Sequence, residues 1–223
     1  MQDANKSAGL AGLCFVAAMV VGFSLQPALD FDAAATKFAS QLADGKSALL
    51  ASGLAVAVAA VALHWFLASL RAAFDPAGGE PAALVLAPAG AAAAALLSLG
   101  FLSIGALAAW TPAGGADPAA LQTAGRLANA AANVALLPLA AAGLATATLG
   151  RRGAAPAWIA VLGALAAVVS VAAAGRAFDE LGFLALLMWL VWAAGLAISL
   201  LRRERAGRAP ATGRASAPRG VGD

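Results

Sequence analysis

Six stretches of this chain are apolar for long enough to cross a bilayer, and no other feature restricts its folding so severely. They run over Ala8–Leu25, Ser47–Leu70, Ala82–Trp110, Ala119–Leu149, Ala154–Ala174 and Leu181–Leu201. A helix needs about 20 apolar residues to traverse the hydrocarbon core. The expected fold is therefore all-α: a polytopic transmembrane helical bundle of about six helices, forming one transmembrane domain over residues 1–201. The third and fourth stretches exceed what a perpendicular crossing requires, so they must tilt, kink or project from the bilayer.

Composition enters as a check on the alternative, a soluble domain. Of the 223 residues, 62% are hydrophobic and only 11% charged, against about 25% charged in soluble domains. A soluble chain of this size leaves too much surface in water to hide that apolar content. The net charge of +3 does not point to nucleic acid, because the arginines gather at helix ends and at one terminus and make no basic face. Abundant Ala, Gly and Arg with scarce Lys fits a GC-rich bacterial genome.

Turn chemistry agrees with the helix assignment. Pro81, Pro118 and Pro156 stand at expected first turns, where a missing N–H costs nothing. Asp117 precedes Pro118 as a cap. Asp75-Pro76 with Gly78-Gly79, and Thr111-Pro112 with Gly114-Gly115, read as the turns on either side of the third helix.

Lysine and arginine set the orientation. Lys6, Arg71, Arg151, Arg152, Arg202, Arg203, Arg205, Arg208, Arg214 and Arg219 fall on one side; Lys37, Lys46, Arg126 and Arg176 fall on the other. The positive-inside rule makes the first side cytoplasmic. The chain is thus expected in the cell membrane, multi-pass, with both termini inside. A rival reading of the first stretch is a signal peptide with cleavage near Gln26-Pro27-Ala28, which leaves five helices. Residues 202–223, rich in Arg, Gly, Ala, Pro and Ser, are expected to form a disordered basic cytoplasmic tail. It serves either as an orientation signal or as an adhesive for anionic lipid.

The loop between the first two helices carries one further element. Phe31, Ala35, Phe38 and Leu42 share a helical stripe, with Asp32, Thr36, Lys37, Gln41 and Asp44 off it. This predicts a short extracytoplasmic amphipathic helix, begun by Asp30 and ended by Gly45, and lying on the outer membrane surface with its Phe rings in lipid. The alternative is a lid over the bundle.

The fourth helix holds the most informative pattern. Gln122, Arg126, Asn129 and Asn133, spaced four, three and four apart, make one polar face from the outer mouth to mid-membrane. Pro138 follows and weakens the helix just below. Polar groups at such depth face protein or water. One reading is a ligand-binding pocket in which Arg126 meets an anionic or carbonyl-bearing molecule, with Asp179 or Glu180 as its counter-ion. The plainer reading has Arg126 snorkelling to the headgroups while the asparagines bond neighbouring helices.

Other polar residues offer less. His64 is the only histidine and Cys14 the only cysteine, which excludes two-histidine metal centres and disulfides within one chain. His64 reads as interfacial, and Trp189 with Trp192 as packing in the sixth helix. No Walker loop, HExxH or GxSxG occurs.

The run Leu149-Gly150-Arg151-Arg152-Gly153-Ala154-Ala155-Pro156-Ala157-Trp158, with Met188-Trp189-Leu190 and the Leu-Leu-Arg-Arg end at 200–203, resembles small bacterial, actinobacterial-type, six-helix integral membrane proteins of a domain-of-unknown-function family. The resemblance implies the six-helix architecture and no catalytic residues. The expected function is a non-enzymatic accessory, regulatory or small-ligand-binding membrane protein, with no cofactor, no metal and no nucleic acid. Its expected partners are the lipid bilayer and a second membrane protein. A small-solute transporter using the fourth-helix stripe is the alternative.

Overall fold

The computed structural model describes residues 2–74, 80–110, 117–153, 155–174 and 180–208. These form helices α1 (Gln2–Leu25), α2 (Ala35–Asp44), α3 (Lys46–Phe74), α4 (Pro81–Leu84), α5 (Leu86–Trp110), α6 (Pro118–Val134), α7 (Leu136–Arg151), α8 (Ala157–Ala174) and α9 (Glu180–Arg208). Six membrane-length helices result, because α4 with α5, and α6 with α7, each make one long span. The protein is an all-α polytopic membrane bundle.

Both interruptions have the same cause. α4 gives way to α5 at Val85, and α6 to α7 at Ala135. Each residue lies three positions before a proline, Pro88 or Pro138. Proline offers no N–H to the carbonyl four residues earlier, so Leu84 and Val134 lose their helical acceptor bonds. Caps fix the starts. The Glu80 carboxylate accepts from the Ala82 N–H at 3.3 Å, and the Asp117 carboxylate from the Ala119 N–H at 3.0 Å.

The six spans close into a ring. α1 packs on α3, α3 on α5, α5 on α6 and α7, α7 on α8, α8 on α9, and α9 back on α1. Lipid gives helices no hydrophobic reason to associate, so close backbone approach matters most. A Cβ at Gly143 would come within 2.5 Å of the Gly163 carbonyl oxygen, and one at Gly100 within 2.8 Å of the Ala128 carbonyl oxygen. Only glycine permits these approaches of α7 to α8 and of α5 to α6.

The half of the ring away from α2 holds a buried aromatic cluster. Trp189 and Trp192 meet edge to face at 5.0 Å, and Trp192 meets Phe66 at 5.8 Å. The Trp189 indole donates to the Ser170 hydroxyl at 2.8 Å. Both tryptophans are therefore packing residues. At that end an ion pair joins Arg152 to Glu80, and the Ser7 and Ser69 hydroxyls lie 3.3 Å apart. His64 and Trp65 are exposed on the outside of α3.

Three local expectations change. The amphipathic helix begins at Ala35 with Ala34 as its N-cap and no side-chain cap. Asp30 instead closes a turn, its carboxylate accepting from the Asp32 N–H at 3.1 Å. α2 does not lay both Phe rings in lipid: Phe38 and Leu42 are fully buried against Leu49, Ile104, Ala108 and Ala128, while Phe31 is half-buried in the preceding turn. The mismatch arises because α2 rests on the ends of α3, α5 and α6, where protein surface is available. Finally, the basic stretch expected to be disordered from Arg202 stays helical through Arg208, with Glu204 buried at 5% exposure. Residues 209–223 and the turns at 75–79 and 111–116 lie outside the described residues.

Candidate functional site

The polar face of α6 divides into two parts with different work. Its first two members hold a turn of backbone. The Gln122 amide donates to the carbonyls of Phe31 at 3.0 Å and Ala33 at 2.7 Å. Arg126 donates through Nε to the same Phe31 carbonyl at 2.9 Å and places its guanidinium 3.5 Å from the Asp32 carboxylate. These contacts lock residues 31–33 onto α6. On its other side the turn is tied to α2: the Asp30 N–H donates to the Gln41 side chain at 3.2 Å, and Lys37 sits 3.7 Å from the Asp30 carboxylate.

α2 itself is seated by shape. The Phe38 ring lies over Gly125, where a Cβ would come within 2.5 Å of it. The glycine falls between Gln122 and Arg126 in sequence, so apolar seat and polar latch occupy adjoining faces of one helix.

Beneath the turn the bundle is hollow. A cavity of about 730 Å³ opens at the α2 end, within the roughly 300–1,000 Å³ of small-molecule sites. Its walls come from α1, the 26–32 segment, α5, α6 and the end of α8. Phe23 and Phe101, edge to face at 5.5 Å, make an apolar wall. Arg126, Asn129 and Asn133 line the opposite side, while Asp30 and Asp32 stand at the mouth. Arg126 to Asn133 spans about 10 Å of helix rise.

The four expected site residues thus do not act together. Gln122 lies outside the cavity lining, its amide engaged by the turn. Arg126 is at the lip, its side chain 54% exposed. Asn129 is half-buried and, among the described residues, has no hydrogen-bond partner. Asn133 is buried at 4% exposure and has an interaction of its own, so it faces protein and not lipid. The partners of Arg126 are Phe31 and Asp32. Asp179 and the side chain of Glu180, expected as its counter-ion, lie outside the described residues.

Sequence reasoning missed the aromatic wall and the turn. Phe23 and Phe101 sit in uniformly apolar runs that give no sign of which face is inward. Residues 31 and 33 contribute carbonyl oxygens, which no side chain advertises. Chemically, the lining offers amides that donate and accept, one shared cation and two carboxylates, which suits binding and orienting a polar group. Among the described residues, no three His, Cys, Asp or Glu side chains gather as a metal ligand set.

With this geometry in view, similarity to known proteins adds nothing: no family model matches the chain, and neither curated proteins nor solved structures give a match. What the fold and its composition define is the class, an integral membrane protein with six apolar spans.

Proposed function

We propose that this chain is a non-enzymatic, small-ligand-binding protein of a bacterial cell membrane. The reading is carried by one observation: a cavity open at the α2 end presents the Asn129 amide, which has no hydrogen-bond partner among the described residues. A polar side chain at such depth needs water or a ligand. The buried aromatic cluster below the cavity favours holding a molecule over passing one through, so the transporter reading comes second.

Orientation belongs to the same proposal. Lys6, Arg71, Arg151, Arg152, Arg202, Arg203 and Arg205 all lie at the end opposite α2. The positive-inside rule then puts both termini in the cytoplasm and the vestibule outside. Membership of the actinobacterial-type family that the second half resembles is consistent with this and supplies no activity.

The test is thermal stabilisation of the purified protein in detergent by water-soluble zwitterions, anions and sugars. At least one is expected to raise the Tm of the wild type and not of Asn129→Leu. No shift in the wild type, or equal shifts in both, contradicts the proposal.

A further inference from the structure

On the lipid-facing side of the bundle, α5 and α6 leave a groove between them. They cross at Gly100, where an added Cβ would stand 2.8 Å from the Ala128 carbonyl oxygen and from the Ala132 Cβ. Outward of that crossing the Phe38 ring is wedged on the inner side, buried in one cluster with Ile104 and Ala108 of α5 and Ala128 of α6. The ring holds the two helices apart, and their outer side is left open as a groove of about 710 Å³.

The floor of the groove is half-buried Ser103, Ala124 and Ala131 with buried Ala128. Its rims are Leu99 and Trp110 on α5 and Leu127 on α6, at 58%, 85% and 73% exposure. Among the described residues, no charged side chain lines it.

Two kinds of occupant can reach such a place in a membrane, a hydrocarbon chain and a second helix. Rim and floor decide between them. Helices pack in lipid where small residues stand foremost and backbones approach. Here the small residues lie at the bottom, and leucines and an indole stand proud. That keeps a helix about 10 Å wide off the floor and leaves a slot for a chain one methylene thick. Length agrees: from Trp110 to Leu96 the groove follows about 21 Å of helix rise, against roughly 15 Å of hydrocarbon in one leaflet. Trp110 marks the headgroup end, where indole rings are favoured. The groove is also continuous with surface already turned to acyl chains, since Leu99, Leu102 and Leu127 are exposed along these spans.

We propose that the groove between α5 and α6 holds one acyl chain of a phospholipid from the leaflet on the α2 side, without regard to its headgroup. The site is separate from the vestibule and does not depend on what the vestibule binds.

The test is native mass spectrometry of the full chain in detergent, titrated with phosphatidylethanolamine and with phosphatidylglycerol of matched chains. Ser103→Phe and Ala131→Phe fill the floor, Leu127→Ala lowers a rim, and Val58→Phe on the lipid face of α3 is the control. The wild type and the control are expected to retain both lipids equally. The two floor variants are expected to lose them severalfold, and Leu127→Ala, a change at an exposed position, to lose them in the same direction. Retention by Leu127→Ala and by either folded floor variant at the level of the control overturns the inference. A severalfold headgroup preference in the wild type overturns it whether or not the variants fold, because it assigns retention to charged residues elsewhere. A wild-type dimer that the floor variants dissociate gives the groove to a second copy. Loss of lipid in Asn129→Leu and not in the floor variants moves the lipid to the vestibule, and either result contradicts the proposal.

Discussion

Nε of Arg126 donates to the backbone carbonyl of Phe31 at 2.9 Å, tying the third turn of α6 to a bend 95 residues earlier in the chain. The Gln122 amide reaches the same carbonyl. An arginine that looks by sequence like a free cation for a ligand is thus chiefly a clamp on the roof of the vestibule.

The clamp makes Gln122→Leu informative. The substitution removes two donated hydrogen bonds and leaves the Ala33 carbonyl without its side-chain donor. A loss of about 1–2 kcal/mol of stability is expected. Amide hydrogen exchange should quicken at residues 30–34 and remain unchanged in α7 and α8. Unchanged exchange in the turn would show that α2 alone holds it.

Gly125 tests the seat of α2. Gly125→Ala gains about 1 kcal/mol of helix propensity and drives a methyl into the Phe38 ring, at about 1–3 kcal/mol for overpacking. A lowered Tm is expected because the ring has α3 and α5 behind it. Phe38→Leu on that background should restore part of the loss. A rise in Tm for the single variant would mean the ring is free to move aside.

The six helices and the clamp differ sharply in how far they can be read from sequence. Bilayer thickness turns long apolar runs into spans with no tertiary information. Asp117-Pro118 fixes a helix start in the same local way. α2 was legible through Phe38 and Leu42, but not what covers them: periodicity distinguishes faces, and both lipid and protein accept an apolar one. The partners of Gln122 and Arg126 were hidden because carbonyl oxygens belong to every residue. Asn133 was expected to face inward on energetic grounds, as it does, since its short side chain has no route to the headgroups.

Pro138 bears on the break between α6 and α7. Pro138→Ala gives Val134 back its helical acceptor bond, and α6 should then continue the line of α7. Spin labels at Leu127 and Val168 are expected to show a shorter separation in this variant, by pulsed electron–electron spectroscopy. An unchanged distance would assign the divergence of α6 to its contacts with α5 and α2.

Ser170 anchors the only described bond of the Trp189 indole, beside Trp192, whose own N–H is buried without a described partner. Ser170→Ala leaves a second buried donor unmatched. Interhelical bonds in membranes average about 0.6 kcal/mol and reach about 1.7, so a loss in that range is expected in detergent denaturation followed by tryptophan fluorescence. No loss would indicate that water replaces the hydroxyl.

The central claim is that Asn129 faces a water-filled vestibule at the α2 end, and cysteine accessibility tests it most directly. In a Cys14→Ala background, Asn129→Cys, Ser40→Cys on α2, Leu127→Cys on the lipid face and Leu139→Cys in the core are exposed, in oriented membranes, to a membrane-impermeant thiol reagent. Asn129→Cys is expected to react from the same side as Ser40→Cys and much faster than Leu127→Cys or Leu139→Cys. Reaction of Asn129→Cys no faster than Leu127→Cys, or only from the side opposite Ser40→Cys, would contradict the account.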